Sequence, residues 1–235
     1  MIHALLPAPC LACRQPLPAT GTELGLCQGC RALLRPIPAE ACAICARPLP
    51  ARDLPADWRC GACREHPPAF DRLLALWSYE EPLAAVVRAL KFGRLDYLGR
   101  HLGAALAGGL GEELAGADLI VPVPLHWRRR LRRGYNQAER IARPLAARLG
   151  VPVAPVLSRT RPTPPQTTLG KEARLANLRR AFRVARPARI RGLHLLLVDD
   201  VATTGATLDA ASAILKKAGA AKVTAVVAGR TLAER

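Results

Sequence analysis

Eight cysteines constrain this chain more than any other feature: all lie in the first 63 of its 235 residues, and all fall in Cys-x-x-Cys pairs. The pairs are Cys10/Cys13, Cys27/Cys30, Cys42/Cys45 and Cys60/Cys63, with 13 residues between the first two pairs and 14 between the last two. Near-equal spacing reads as a tandem repeat of one small unit. Two intervening residues let both sulfurs face one metal ion from a tight knuckle, and two knuckles supply the four thiolates of a tetrahedral site. The surrounding residues are rich in Pro, Ala and Gly, and roughly 65 residues of this kind need a staple to hold a fold. Two structural Zn2+ ions are the predicted staple. Sequential sites, one from Cys10, Cys13, Cys27 and Cys30 and one from Cys42, Cys45, Cys60 and Cys63, are preferred to interleaved ones because short loops close at lower entropic cost. Four sulfurs leave no open position for catalysis. His66, close to Cys63, is the one substitute ligand, and its simpler reading is an exposed side chain.

The rival readings of the cysteines are disulfides and redox chemistry. Disulfides belong to oxidising compartments, and a redox dithiol needs a strand–helix context that these loop-like pairs lack. Residues 1–10 carry neither a basic segment nor a long apolar one, so no signal peptide is read. No run approaches the roughly 18 apolar residues of a membrane span. A cytoplasmic protein is expected. Its 50% hydrophobic content argues against disorder despite 21 prolines.

The net charge is +17, and it is unevenly placed. Residues 126–191 hold 18 of the 35 Lys and Arg but only Glu139 and Glu172 as acids, an excess of +16. A GC-rich genome would spread its arginine bias along the chain; a concentrated field attracts polyanions.

From about Phe70 the pattern changes. Pro82–Leu90 and Leu98–Leu110 read as helices, Leu73–Trp77 is short and alternates poorly, and Leu119–Val123 reads as a buried strand. Tyr135–Leu149 has a helical apolar face closed by Gly150. Val151–Leu157, Leu193–Val198 and Val223–Ala228 are further strand candidates. Between the last two, Leu208, Ala211, Leu215 and Ala218 mark a helix closed by Gly219. Alternating strands and helices predict a doubly wound, mostly parallel α/β sheet.

The sharpest chemical signal is Leu195-Leu-Leu-Val-Asp-Asp-Val-Ala-Thr-Thr-Gly-Ala-Thr207. An apolar strand runs into two acids, then small residues and hydroxyls lead into a helix. Ligands of open α/β sheets bind beyond the carboxyl ends of strands. The turn Val201–Thr207 offers amides and hydroxyls at a helix N-terminus, an anion site. Gly205 permits close approach or an unusual backbone angle. Carboxylates beside an anion site repel it unless they face hydroxyls or a metal. A ribose 5-phosphate unit satisfies both demands, with phosphate in the turn and hydroxyls on Asp199 and Asp200. The simpler reading is an Asp/Thr-capped turn.

This stretch resembles the phosphoribosyl-pyrophosphate (PRPP) signature of type I phosphoribosyltransferases. The whole chain is similar to the ComF/GntX family. The resemblance runs through the paired knuckles, Cys60–Asp71, Leu90-Lys-Phe92, Val121-Pro-Val-Pro124, Arg133-Gly-Tyr-Asn-Gln137, the Gln166…Arg174…Asn177 loop and the PRPP signature. It implies a double zinc ribbon at 1–68 and a type I phosphoribosyltransferase-like domain at 69–235. Asp199 and Asp200 would be the catalytic pair on the ribose, with Mg2+ held mainly by pyrophosphate and hydroxyl oxygens. PRPP would be bound by both acids and by Val201, Ala202, Thr203, Thr204, Gly205, Ala206 and Thr207. Arg128, Arg129, Arg130, Arg132 and Arg133 would neutralise pyrophosphate or contact DNA. Arg159–Phe182 corresponds to a mobile lid. Lys91 is carried over less securely, because Gly93 stands early in Lys91-Phe-Gly-Arg94.

Two functions follow. One is a DNA-uptake factor of natural transformation that binds PRPP and single-stranded DNA, with Trp127, Tyr135 and Phe182 as stacking partners; core or turn packing is the simpler reading of these aromatics. A competence helicase or uptake-pore protein is a further partner compatible with it. The other is a Mg2+-dependent phosphoribosyltransferase acting on a small nitrogenous acceptor, although no segment reads as a base-recognition element.

Overall fold

The computed structural model describes residues 7–18, 22–48, 54–160, 181–185 and 187–232. The two halves of the cysteine region repeat each other in geometry. Cys10 N donates to Gln15 O (2.8 Å) and Cys42 N to Arg47 O (2.7 Å), while Arg14 N and Ala46 N return to Cys10 O and Cys42 O, each at 3.0 Å. A short helix follows the third sulfur in both units, α1 (Gln28–Ala32) and α2 (Gly61–Glu65).

Aliphatic runs form the sheet beyond. Strands β1 (Arg72–Ser78), β2 (Leu119–Pro122), β5 (His194–Ala202) and β6 (Lys222–Arg230) lie in the order β1-β6-β5-β2, all parallel. Strands buried on both faces need no polar alternation, and Leu195 through Asp200 are all buried. Leu196, Val198 and Val226 face helices α3 (Leu83–Phe92), α4 (Leu98–Leu110) and α6 (Gln137–Leu149). Leu195, Leu197 and Val227 face α7 (Ala206–Lys217) on the other side. Successive residues of β5 thus serve opposite layers, as the period of two requires. The doubly wound parallel sheet is the fold expected. Among the described residues, no helix is long and apolar enough to cross a membrane.

Helices α4 and α6 touch backbone to side chain. A Cβ at Gly103 would stand 2.3 Å from Ile141 O and 2.6 Å from Pro144 Cγ, so only glycine allows this approach.

The ribbons cover the open edge of β1. Ile37 N donates to Leu76 O (3.1 Å), Leu73 N to Ile44 O (2.7 Å) and Ser78 N to Arg35 O (2.8 Å). Covering an edge removes a template for aggregation. The first ribbon also shares the core, with Leu24 and Leu26 buried in the cluster that holds Leu98 and Leu102.

Two expectations need correction. Val151–Leu157 is not a strand: Val153 makes one parallel bridge to Ile120, and Leu157 instead opens an antiparallel ribbon of β3 (Leu157–Arg159) with β4 (Phe182–Val184). Pro152 and Pro155 leave too few amide donors for a ladder. Conversely, Leu73–Trp77 lies within β1 despite its weak alternation, because a parallel strand packed on both faces need not alternate.

Candidate phosphoribosyl site

The cysteines converge in two groups, Cys10, Cys13, Cys27 and Cys30, and Cys42, Cys45, Cys60 and Cys63, with the sulfurs of each group within 4.8 Å of one another. Cys13 and Cys27 sulfurs are 3.7 Å apart, and Cys45 and Cys60 sulfurs 3.8 Å. A Zn–S bond of about 2.3 Å gives a tetrahedron edge of about 3.8 Å, so the residues fit structural zinc. Amide N–H groups of Cys27 and Cys60 donate to Cys10 Sγ (3.4 Å) and Cys42 Sγ (3.3 Å), as thiolate sulfurs favour. Hydrogen bonding from Cys63 lowers the Cys45 thiol to about 4, while the same contact and burial push Cys63 up. One thiolate forms readily while Cys60 and Cys63 resist; a divalent cation reverses that resistance. His66 is exposed and belongs to neither group.

The second site is a cleft of about 500 Å³ at the carboxyl end of β5. It is lined by Asp199, Asp200, Val201, Thr203 and Thr207, by Val123-Pro-Leu125 after β2, and by Lys91, Arg129, Arg132, Arg133 and Arg159. Asp199 and Asp200 are still inside the strand, which continues to Ala202 rather than ending at the acids. Both are buried. Asp199 Oδ1 accepts the Asp200 amide (2.9 Å), and Lys91 Nζ stands 3.0 Å from Asp200 Oδ1. Asp200 Oδ2 has no hydrogen-bond partner among the described residues. Burial, then the Asp200 charge, raises the Asp199 carboxyl to about 7. Burial likewise raises Asp200, with Lys91 acting against it. Raised acids in a cleft beside cations make this a candidate functional site.

Beyond β5 the turn is open. Thr203 and Thr204 are exposed, and Gly205 has φ +79°, a left-handed conformation that other side chains resist. Gly205 brings no capping side chain to α7; Thr204 Oγ1 accepts Ala206 N at 3.3 Å. First-turn amides remain for an anion.

The basic stretch divides. Helix α5 (Trp127–Arg133) sends Arg129, Arg132 and Arg133 to the cleft. Arg128 instead lies over the Trp127 ring (5.2 Å), and Arg130 pairs with Glu139 (3.8 Å). Trp127 is 59% exposed and Phe92 70%, whereas Tyr135 and Phe182 are buried, so the packing reading holds for the latter two. Residues 161–180 of the expected lid, with Gln166, Arg174 and Asn177, lie outside the described residues.

What Lys91 meets depends on where α3 ends, which spacing in the sequence does not give. The motif Arg133–Gln137 sets that end. Tyr135 Oη donates to Leu90 O, and Asn136 Nδ2 donates to Val123 O (3.0 Å) while its Oδ1 accepts Ala138 N (3.2 Å) at the start of α6. This motif welds α3, the loop after β2 and α6 around the cleft. Asp71 is also structural: it accepts Val223 N (2.6 Å) and pairs with Lys216.

Comparison with known proteins adds to this geometry. Residues 1–66 match the double zinc ribbon domain, and residues 133–234 match the phosphoribosyl transferase domain. DNA utilization protein YhgH of Salmonella typhimurium strain LT2 is 36% identical over 97% of this chain and 99% of its own length. The Escherichia coli K12 protein of the same name is 35% identical over the same shares. Competence protein F of Haemophilus influenzae is 31% identical over 91% of this chain and 93% of its own.

Proposed function

This chain belongs to the ComF family, alongside DNA utilization protein YhgH and Competence protein F, and on that premise we infer that it binds PRPP and single-stranded DNA in DNA utilization. The observation that carries the first half is Asp200 Oδ2, a buried acceptor lining the cleft with no partner among the described residues. A buried acceptor of this kind costs free energy until a donor reaches it, and a ribose hydroxyl is a donor of the right reach. The 5-phosphate sits in the turn Ala202–Thr207. Lys91, Arg129, Arg132 and Arg133 line the cleft where the pyrophosphate would lie, and a Mg2+ ion bound with it would neutralise charge on the leaving group.

Calorimetric titration with PRPP and Mg2+ tests this reading. Saturable binding is expected, weakened about tenfold or more by Asp200→Asn. Heats unchanged from buffer would overturn it. The second half rests on the relatives' names, on the basic stretch 126–191, and on Trp127 and Phe92, which stand exposed beside arginines. Pyrophosphate release with a nitrogenous base would instead identify a phosphoribosyltransferase, a reading favoured by the buried acid pair Asp199 and Asp200 in the cleft.

A further inference from the structure

Arg230, the last residue of β6, is 4% exposed and meets two distant parts of the chain. Its Nε donates to Cys45 O (3.1 Å), while Nη1 donates to Ala202 O (3.0 Å) and to Thr203 O. Cys45 belongs to the second cysteine group, and Ala202 and Thr203 open the turn after β5. One buried guanidinium thus joins a zinc knuckle to the turn.

The consequence follows from peptide geometry. In a trans peptide the carbonyl and the next N–H point in opposite directions. Holding Thr203 O on Arg230 therefore aims the amide of Thr204 away from it, whereas Ala202 O also accepts Thr231 N (3.0 Å), so the Thr203 amide is fixed by backbone pairing as well. The charge also finds its counterpart. Among the described residues no carboxylate pairs with Arg230, whereas four thiolates around one Zn2+ carry a net negative charge. The first cysteine group makes no hydrogen bond to the turn among the described residues.

We propose that Arg230 is a positioning residue that makes ligand affinity at the turn depend on zinc in the second cysteine group. This rests on the phosphoribosyl reading. Loss of that zinc frees the knuckle carbonyl, Arg230 shifts, and the Thr204 amide loses its aim.

The test pairs Arg230→Met and Arg230→Lys with graded zinc chelation of the full chain, reading PRPP affinity by calorimetry and the 1H–15N resonance of the Thr204 amide without ligand. Arg230→Lys keeps the cation but cannot span three carbonyls, and urea transitions identify variants that remain folded. In the wild type, chelation that empties the second group is expected to shift the Thr204 amide resonance and to weaken PRPP about tenfold. In either variant that stays folded, affinity is already lower by a similar factor and chelation adds less than about twofold. Equal loss on chelation in wild type and variants, or wild-type affinity in Arg230→Lys, would overturn the proposal. If the wild type binds no PRPP, the phosphoribosyl reading fails by itself, and a zinc-dependent shift of the Thr204 amide resonance still decides whether the coupling exists.

Discussion

Lys91 Nζ lies 3.0 Å from Asp200 Oδ1, so the ammonium group near the end of α3 is the counter-charge of a carboxylate buried in β5. The pair lines the cleft beside Asp199, and it sets how much charge the empty cleft tolerates.

Replacing Lys91 by Met leaves Asp200 buried without its counter-charge. Stability at pH 8 should fall by about 1–3 kcal/mol, and the deficit should shrink in acid as Asp200 takes up a proton. Adding Asp200→Asn should recover most of the loss, because the stranded charge is gone. Urea unfolding of both single variants and the double variant at pH 8 and pH 5 measures the coupling. Equal losses at both pH values would refute the assignment.

Asp199→Asn should stabilise the protein while removing ligand contacts. The folded carboxyl is raised to about 7 by burial and the Asp200 charge. A raised acid holds its proton more tightly in the native state. Its contribution is therefore full below the ordinary carboxylate range and is lost as pH rises through about 7. Asn carries no such loss. The variant's Tm should exceed that of the wild type by about 2 °C or more at pH 8, with the gap closing toward pH 4. A lower Tm at pH 8 would show that Asp199 is held by contacts stronger than its burial.

Two of the four glycines in helix α4 carry opposite expectations. Gly103→Ala places a methyl against Ile141 O and Pro144, and should cost about 3 kcal/mol or more by forcing α4 from α6. Gly108, on the same helix, meets nothing within 4 Å, so Gly108→Ala should gain about 0.5–1 kcal/mol of helix propensity. Thermal unfolding of the pair separates close packing from propensity.

What could be read before the fold was local. Cysteine spacing specifies the ligand sets because a knuckle is closed within four residues, and the run Leu195–Thr207 specifies a strand-to-turn site because its chemistry is contiguous. The residues that complete the cleft are distant in sequence. Lys91 reaches Asp200 only because Tyr135 fixes the end of α3, and Arg230 reaches Cys45 across 185 residues. No periodicity encodes such meetings. Val151–Leu157 misled for a related reason: its apolar content suits a strand, but its two prolines allow only a bridge.

Single-stranded DNA binding should separate into electrostatic and stacking parts. Helix α5 buries no residue of its own, and Trp127 and Leu131 stand exposed among five arginines. If about six phosphates are engaged, log affinity should fall with log salt at a slope near −4. Neutralising Arg128, Arg129, Arg130, Arg132 and Arg133 together should flatten that slope. Trp127→Ala and Phe92→Ala should each weaken binding about fivefold or more with the slope kept, since a ring contributes stacking and no charge. Fluorescence anisotropy of a labelled oligothymidine over a salt series measures both effects. A steep slope with both aromatic variants unchanged would leave α5 as a purely ionic surface, and a flat slope in the wild type would remove DNA from its partners.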